Sequence, residues 1–149
     1  MSFKNRSSRQ YILLLLALSL FSIGIGYLAY SSYQTGICFA DYSTNTFDVR
    51  CHEFFDKFGL SVLYGFSALA LVFLVLFFVP QSISTWKRFA IWYIPIATIL
   101  FIVWQEPRGF DPLTPYPEQV YKFLSVVYVV ISLFIIARTW WKTRKGSDV

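Results

Sequence analysis

The chain has 149 residues, of which 56% are hydrophobic, 21% aromatic and only 14% charged, with a formal net charge of +5. Soluble chains carry roughly 25% charged residues, and a domain this small cannot hide so much apolar surface from water. Composition therefore excludes an ordinary soluble domain and points to a single all-α integral membrane domain.

The chain opens on a basic arm, Lys4, Arg6 and Arg9, followed by an uncharged 20-residue run at 11–30. About 20 apolar residues cross some 30 Å of hydrocarbon as a helix. The arm and run also resemble a signal peptide, with Ala29 and Ser31 as small residues at a cleavage point. A signal core is usually about 7–15 residues, so the run reads as a retained first helix.

Residues 31–59 form a polar connection that holds Cys38 and Cys51, the only cysteines, and His52, the only histidine. Twelve residues separate the cysteines, and the turn-forming DYSTNT lies between them. On an oxidising side of the membrane this pair predicts a disulfide. A metal site on Cys51, His52 and Glu53 or Asp41 is the weaker reading, because zinc takes three or four ligands at recognisable spacings. No metal or other cofactor is expected.

Membrane thiol oxidases that pass electrons to quinone also have four helices and loop cysteines. They relay through two cysteine pairs, one closely spaced, and here there is neither a C-x-x-C nor a second pair. Claudin-like proteins are similar in topology, with four spans and a first-loop disulfide. Their tryptophan-containing signature is absent from this loop, so the likeness stops there.

Phe54, Phe55 and Phe58 are spaced to form one apolar face of a helical turn in the interface, with Gly59 as the joint to the next span. That span covers 60–79, again 20 residues without a charge. Lys87 and Arg88 fall at the start of a third span, 86–104, where they can snorkel to the headgroups. Pro95 sits in its middle and is expected to bend it by freeing the Ile91 carbonyl, with Thr98 nearby to satisfy local groups.

The second connection, 105–118, carries four of the six prolines and is read as stiff. Phe110 and Tyr116 lie in it as candidate contact residues for the first loop or for a partner. The fourth span covers 119–139, with Glu118 and Lys122 placed for an i,i+4 ion pair. A basic tail, 140–149, follows and is read as an anchor at anionic headgroups rather than a nucleic-acid site.

Nine of the thirteen basic residues fall on one side of a four-span model. The positive-inside rule makes that side cytoplasmic. The expected architecture is a four-transmembrane-helix up-down bundle with both termini cytoplasmic, in a plasma or bacterial inner membrane. Loops 31–59 and 105–118 are then outside the cell.

Within the spans, Ser22 with Gly26 and Ser61 with Gly65 form two small-xxx-small pairs, expected at helix–helix contacts or at the interface of a homo-oligomer. Trp86, Trp104, Trp140 and Trp141 are expected in the aromatic belts. No ionisable side chain lies in mid-span, which argues against a proton-coupled pump.

The expected role is a non-enzymatic accessory or interaction subunit whose contacts are the bilayer and a membrane partner. The alternatives are a membrane thiol–disulfide/quinone oxidoreductase and a small multimeric channel or lipid-binding carrier.

Overall fold

A computed structural model describes residues 3–41, 46–104 and 115–145. Four long helices carry the chain: α1 (Phe3–Tyr30), α2 (Val49–Phe78), α3 (Ile83–Val103) and α4 (Pro117–Lys145). Each is long and apolar enough to cross a membrane. Between α1 and α2 lies a two-residue antiparallel ladder, β1 (Ala40–Asp41) and β2 (Thr46–Phe47), pairing Ala40 with Phe47 and Asp41 with Thr46. The sequence reading has no strand here, and the ladder is too short to alter the helical class.

Local chemistry sets the helix ends. Gly36 takes the left-handed conformation (φ 72°) and turns the chain after α1. Asp48 caps α2, its Oδ1 accepting from the Cys51 amide at 3.1 Å. Pro80 stops α2 and starts a 3₁₀ turn, Pro80–Ser82, that leads into α3. Pro117 occupies the first position of α4, where its missing N–H costs nothing.

Several boundaries differ from the sequence reading. Helix α1 begins at Phe3, within the basic arm and ahead of the expected start at 11. Helix α2 begins at Val49, inside the expected loop 31–59, and passes through Gly59 without a joint. Residues 140–145 of the expected tail continue α4. Helix α3 starts three residues early and stays helical through Pro95. Charged and amphipathic residues prolong a helix past the hydrocarbon edge because water and headgroups tolerate them there, so hydropathy marks the span and not the helix.

Helix α1 packs most closely on α2, and α4 packs on α2 and α3. In lipid no hydrophobic force draws helices together, so close backbone approach and interhelical hydrogen bonds carry the association. Gly26 and Gly59 supply the first. A β-carbon on Gly59 would stand 2.5 Å from the Tyr30 nitrogen and 2.7 Å from the Gly26 carbonyl oxygen. At the other end of this pair, Arg9 lies over the Phe77 ring, 6.0 Å from its centroid.

Side-chain hydrogen bonds tie α3 to α4. Trp86 Nε1 donates to Ser132 Oγ at 3.3 Å, Tyr93 to the Leu124 carbonyl at 2.7 Å, and Tyr121 to the Phe101 carbonyl at 3.1 Å. The buried core gathers Ile12, Val72, Phe73, Leu76, Trp86 and Ile136 around the end of the bundle that holds the 3₁₀ turn.

Trp86 is thus a core residue, edge-on to Phe73 at 5.4 Å. It does not join an aromatic belt, because its indole N–H finds an acceptor inside the bundle. Trp104, Trp140 and Trp141 do lie at helix ends.

A candidate functional site in two parts

The first part is the segment between α1 and α2. Cys38 and Cys51 form a disulfide, with Cα atoms 5.8 Å apart. It joins the turn after α1 to the first turn of α2. Cys38 is buried, and its amide donates to the Ser32 carbonyl at 3.1 Å. The Asp48 amide donates to the Phe39 carbonyl at 3.1 Å and closes the base of the ladder.

His52 belongs to this brace. Its Nδ1 lies 2.8 Å from the fully buried Ser32 Oγ, and its ring stacks on Tyr33 with centroids 4.1 Å apart. Tyr33 in turn meets the edge of Phe47 at 5.7 Å. Among the described residues no group of three metal-ligating side chains comes together. The braced segment exposes Ile37, Phe39 and Val49, the second of them 66% exposed. The composition of this loop did not single these residues out.

The second part is a cavity of about 540 Å³ between α2, α3 and α4. It exists because α2 and α3, joined by a short turn, make almost no close backbone contact beyond it. Helix α3 is also the least enclosed of the four. Near the turn Phe73 and Trp86 fill the space between them; further along, the gap widens into the cavity, narrowed where the Phe101 ring of α3 lies over Gly65 of α2.

Its walls include residues expected elsewhere. Phe54 and Phe58 line it from α2, whereas Phe55 sits outside it with its ring edge-on to Phe54 at 5.4 Å. Ser61 and Gly65 line it too. A β-carbon on Gly65 would meet only the Phe101 ring, at 3.7 Å. This small pair therefore borders the cavity, with the Phe101 ring standing over Gly65. Of the α1 pair, Gly26 packs against α2, while Ser22 Oγ donates to the Leu18 carbonyl of its own helix at 2.9 Å.

The rim of the cavity away from the 3₁₀ turn carries Lys57 and Trp104, whose indole donates to the Pro115 carbonyl at 3.2 Å. Beside it, Glu118 and Lys122 form the expected ion pair at 2.6 Å, and the Tyr64 hydroxyl donates to Glu118 at 3.2 Å. Thr98 Oγ1 donates to the Ile94 carbonyl at 2.8 Å, and so does not serve the carbonyl of Ile91. Tyr116 is exposed next to Pro117. Phe110 lies outside the described residues.

The fold and site define a helical protein with four membrane-spanning-capable helices, a disulfide-braced connection and an apolar cavity. Compared with protein-family models, curated proteins and solved structures, the chain matches none of them.

Proposed function

We propose that this protein is a non-enzymatic multi-pass protein of a plasma or inner membrane. It is a single up-down domain with both termini cytoplasmic, and it acts as an accessory or interaction subunit. The order of contacts supports the topology: Tyr30 lies by Gly59 while Arg9 lies by Phe77. Likewise Phe101 meets Tyr121 while Trp86 meets Ser132. The side of each connection follows from the lysine and arginine bias.

The observation that carries the role is the braced outer segment. A disulfide, a helix cap and the Ser32–His52–Tyr33 stack hold it, yet Ile37 and Phe39 stay exposed between the spans and Val49 at the first position of α2. Rigid display of apolar side chains in water marks an interaction surface. The segment between α1 and α2 is short, so it stays close to the headgroups. Its partner is then another membrane protein with an extracytoplasmic face.

The test is a photo-crosslinking amino acid placed at Phe39, with a second at lipid-facing Phe123 as control, activated in native membranes. A discrete protein adduct at position 39 and none at 123 supports the reading. Lipid adducts alone at position 39 overturn it. The thiol–quinone alternative has less support, since the only two cysteines are consumed in one bridge and leave no second pair for a relay.

A further inference from the structure

The end of the bundle that holds the 3₁₀ turn carries charge of one sign. Arg9 of α1, Lys87 and Arg88 of α3, and Arg138, Lys142 and Arg144 of α4 are all exposed there. Every acidic residue among those described, Asp41, Asp48, Glu53, Asp56 and Glu118, lies at the opposite end. The signs are mixed at that opposite end, where Arg50, Lys57 and Lys122 stand among the carboxylates and Lys122 pairs with Glu118.

The basic end is also the one where helices run on past the core. Ser82 Oγ of the turn donates to the Ile136 carbonyl at 3.5 Å, which sets the turn level with Ile136. Helix α4 continues from there to Lys145, roughly 13 Å further at about 1.5 Å per residue. Arg9 lies over Phe77 near the end of α2, and α1 extends beyond it to Phe3. Trp140 and Trp141 are exposed on the extension of α4, and the Arg144 guanidinium lies 4.2 Å from the centroid of the Trp140 ring. Exposed indoles among basic residues suit the headgroup layer.

We propose that these three helix ends form one basic collar that binds anionic phospholipid headgroups. The sequence places an anchor in the tail alone; the structure adds α1 and the start of α3 to it. Like charges crowded on three helix ends repel one another, and a headgroup of net negative charge among them relieves that repulsion. A lipid is favoured over a soluble acidic partner by the depth of the charges. Lys87 and Arg88 stand within the first two turns of α3, and Arg138 directly follows the apolar run of α4. The collar therefore begins at the hydrocarbon edge, where lipid phosphates already lie. This inference rests on the membrane placement and not on any protein partner.

The test is native mass spectrometry of the full chain, stripped of lipid in detergent and titrated with dioleoyl phosphatidylglycerol or dioleoyl phosphatidylcholine. Phosphatidylglycerol should bind at least tenfold tighter. Lys87→Gln with Arg88→Gln, and Arg138→Gln with Lys142→Gln, should each weaken its binding at least fivefold, about the contribution of one basic residue near an anionic surface. Phosphatidylcholine binding should not change. Arg50→Gln with Lys57→Gln removes the same net charge from the opposite end and should leave phosphatidylglycerol binding as in wild type. Helical circular dichroism and protection of Cys38 and Cys51 from maleimide check that each variant is folded.

Equal affinity for the two lipids overturns the collar, as does an equal loss in the Arg50, Lys57 control, which would reduce the effect to net charge. A loss confined to the Arg138, Lys142 variant overturns the three-helix collar and returns the binding to the tail. Displacement of phosphatidylglycerol by inorganic phosphate or by polyglutamate at equal concentration overturns the lipid as its ligand. Failure of the wild-type chain to enter phosphatidylcholine vesicles would remove the membrane placement itself, and the collar with it.

Discussion

Gly26 and Gly59 meet through bare backbone. A β-carbon on either would fall inside contact distance of the other's carbonyl oxygen, at 3.1 Å from Gly26 and 2.7 Å from Gly59. Helices α1 and α2 can approach this closely only because neither position carries a side chain. The contact lies near the C-terminal end of α1, at the end of the α1–α2 pair that carries the disulfide, so helix packing and the covalent bridge hold the same end of the bundle.

It follows that Gly59→Ala must push α1 away from α2. The obstacle at Gly59 is backbone, which cannot swing aside as a flexible side chain would. Overpacking of this kind costs about 1–3 kcal/mol. Gly24 has nothing within 4 Å of its would-be β-carbon. There Gly24→Ala should be neutral or stabilising by up to about 1 kcal/mol, through helix propensity alone. Thermal unfolding in one detergent, read by helical circular dichroism, separates the two. Equal effects at both glycines would refute the contact.

The Cys38–Cys51 bridge closes a short loop, with a sequence separation of 13. In the chain-entropy picture such a bridge is worth about 2–4 kcal/mol. Replacing both cysteines by serine should lower stability by that amount and leave the four helices intact, because each helix satisfies its own backbone. The measurement is chemical unfolding of wild type and double variant with and without reductant. Wild type in reductant should match the variant.

The spans and the bridge were legible in the sequence because each follows from one physical requirement. Lipid demands some 20 residues without charge, and two cysteines on one connection have only each other. Small residues were legible only halfway. Ser61 and Gly65 announce a thin helix face, but the spacing does not say whether another helix or empty space lies against it. That depends on how α2 and α3 diverge, which no local pattern encodes.

Gly59 was misread for a related reason. A glycine between an amphipathic stretch and a span looks like a joint, and its packing role appears only when α1 is placed against it. Trp86 looked like a belt residue from its position at the edge of a span. The acceptor that draws it inward, Ser132, is 46 positions away.

That same pair gives a further prediction. Ser132→Ala strands the Trp86 indole N–H in a buried site. Buried donors without partners cost about 1–3 kcal/mol, whereas polar pairs between membrane helices average nearer 0.6 kcal/mol. The Tyr128 hydroxyl stands close by and can accept part of the burden. The expected loss is therefore about 1 kcal/mol. A double-mutant cycle with Trp86→Phe, measured by thermal unfolding, should return a coupling of that size, and additivity within error would remove the bond from the account.

The brace around His52 separates stacking from hydrogen bonding. The ring lies nearly parallel to Tyr33 (22° between planes), and Nδ1 faces the buried Ser32 hydroxyl at 2.8 Å. His52→Phe keeps an aromatic ring on Tyr33 but orphans Ser32, a loss of about 1–3 kcal/mol. His52→Ala loses the ring contact as well, adding about 0.5–1.5 kcal/mol. Removing both polar partners together leaves nothing unsatisfied, so Ser32→Ala in the His52→Phe background should recover most of the first loss. Unfolding midpoints of the four proteins check the order: wild type, then the Ser32→Ala, His52→Phe double variant, then His52→Phe, then His52→Ala. If the double variant is less stable than His52→Phe alone, the Ser32 hydroxyl has another partner and the brace is held together differently.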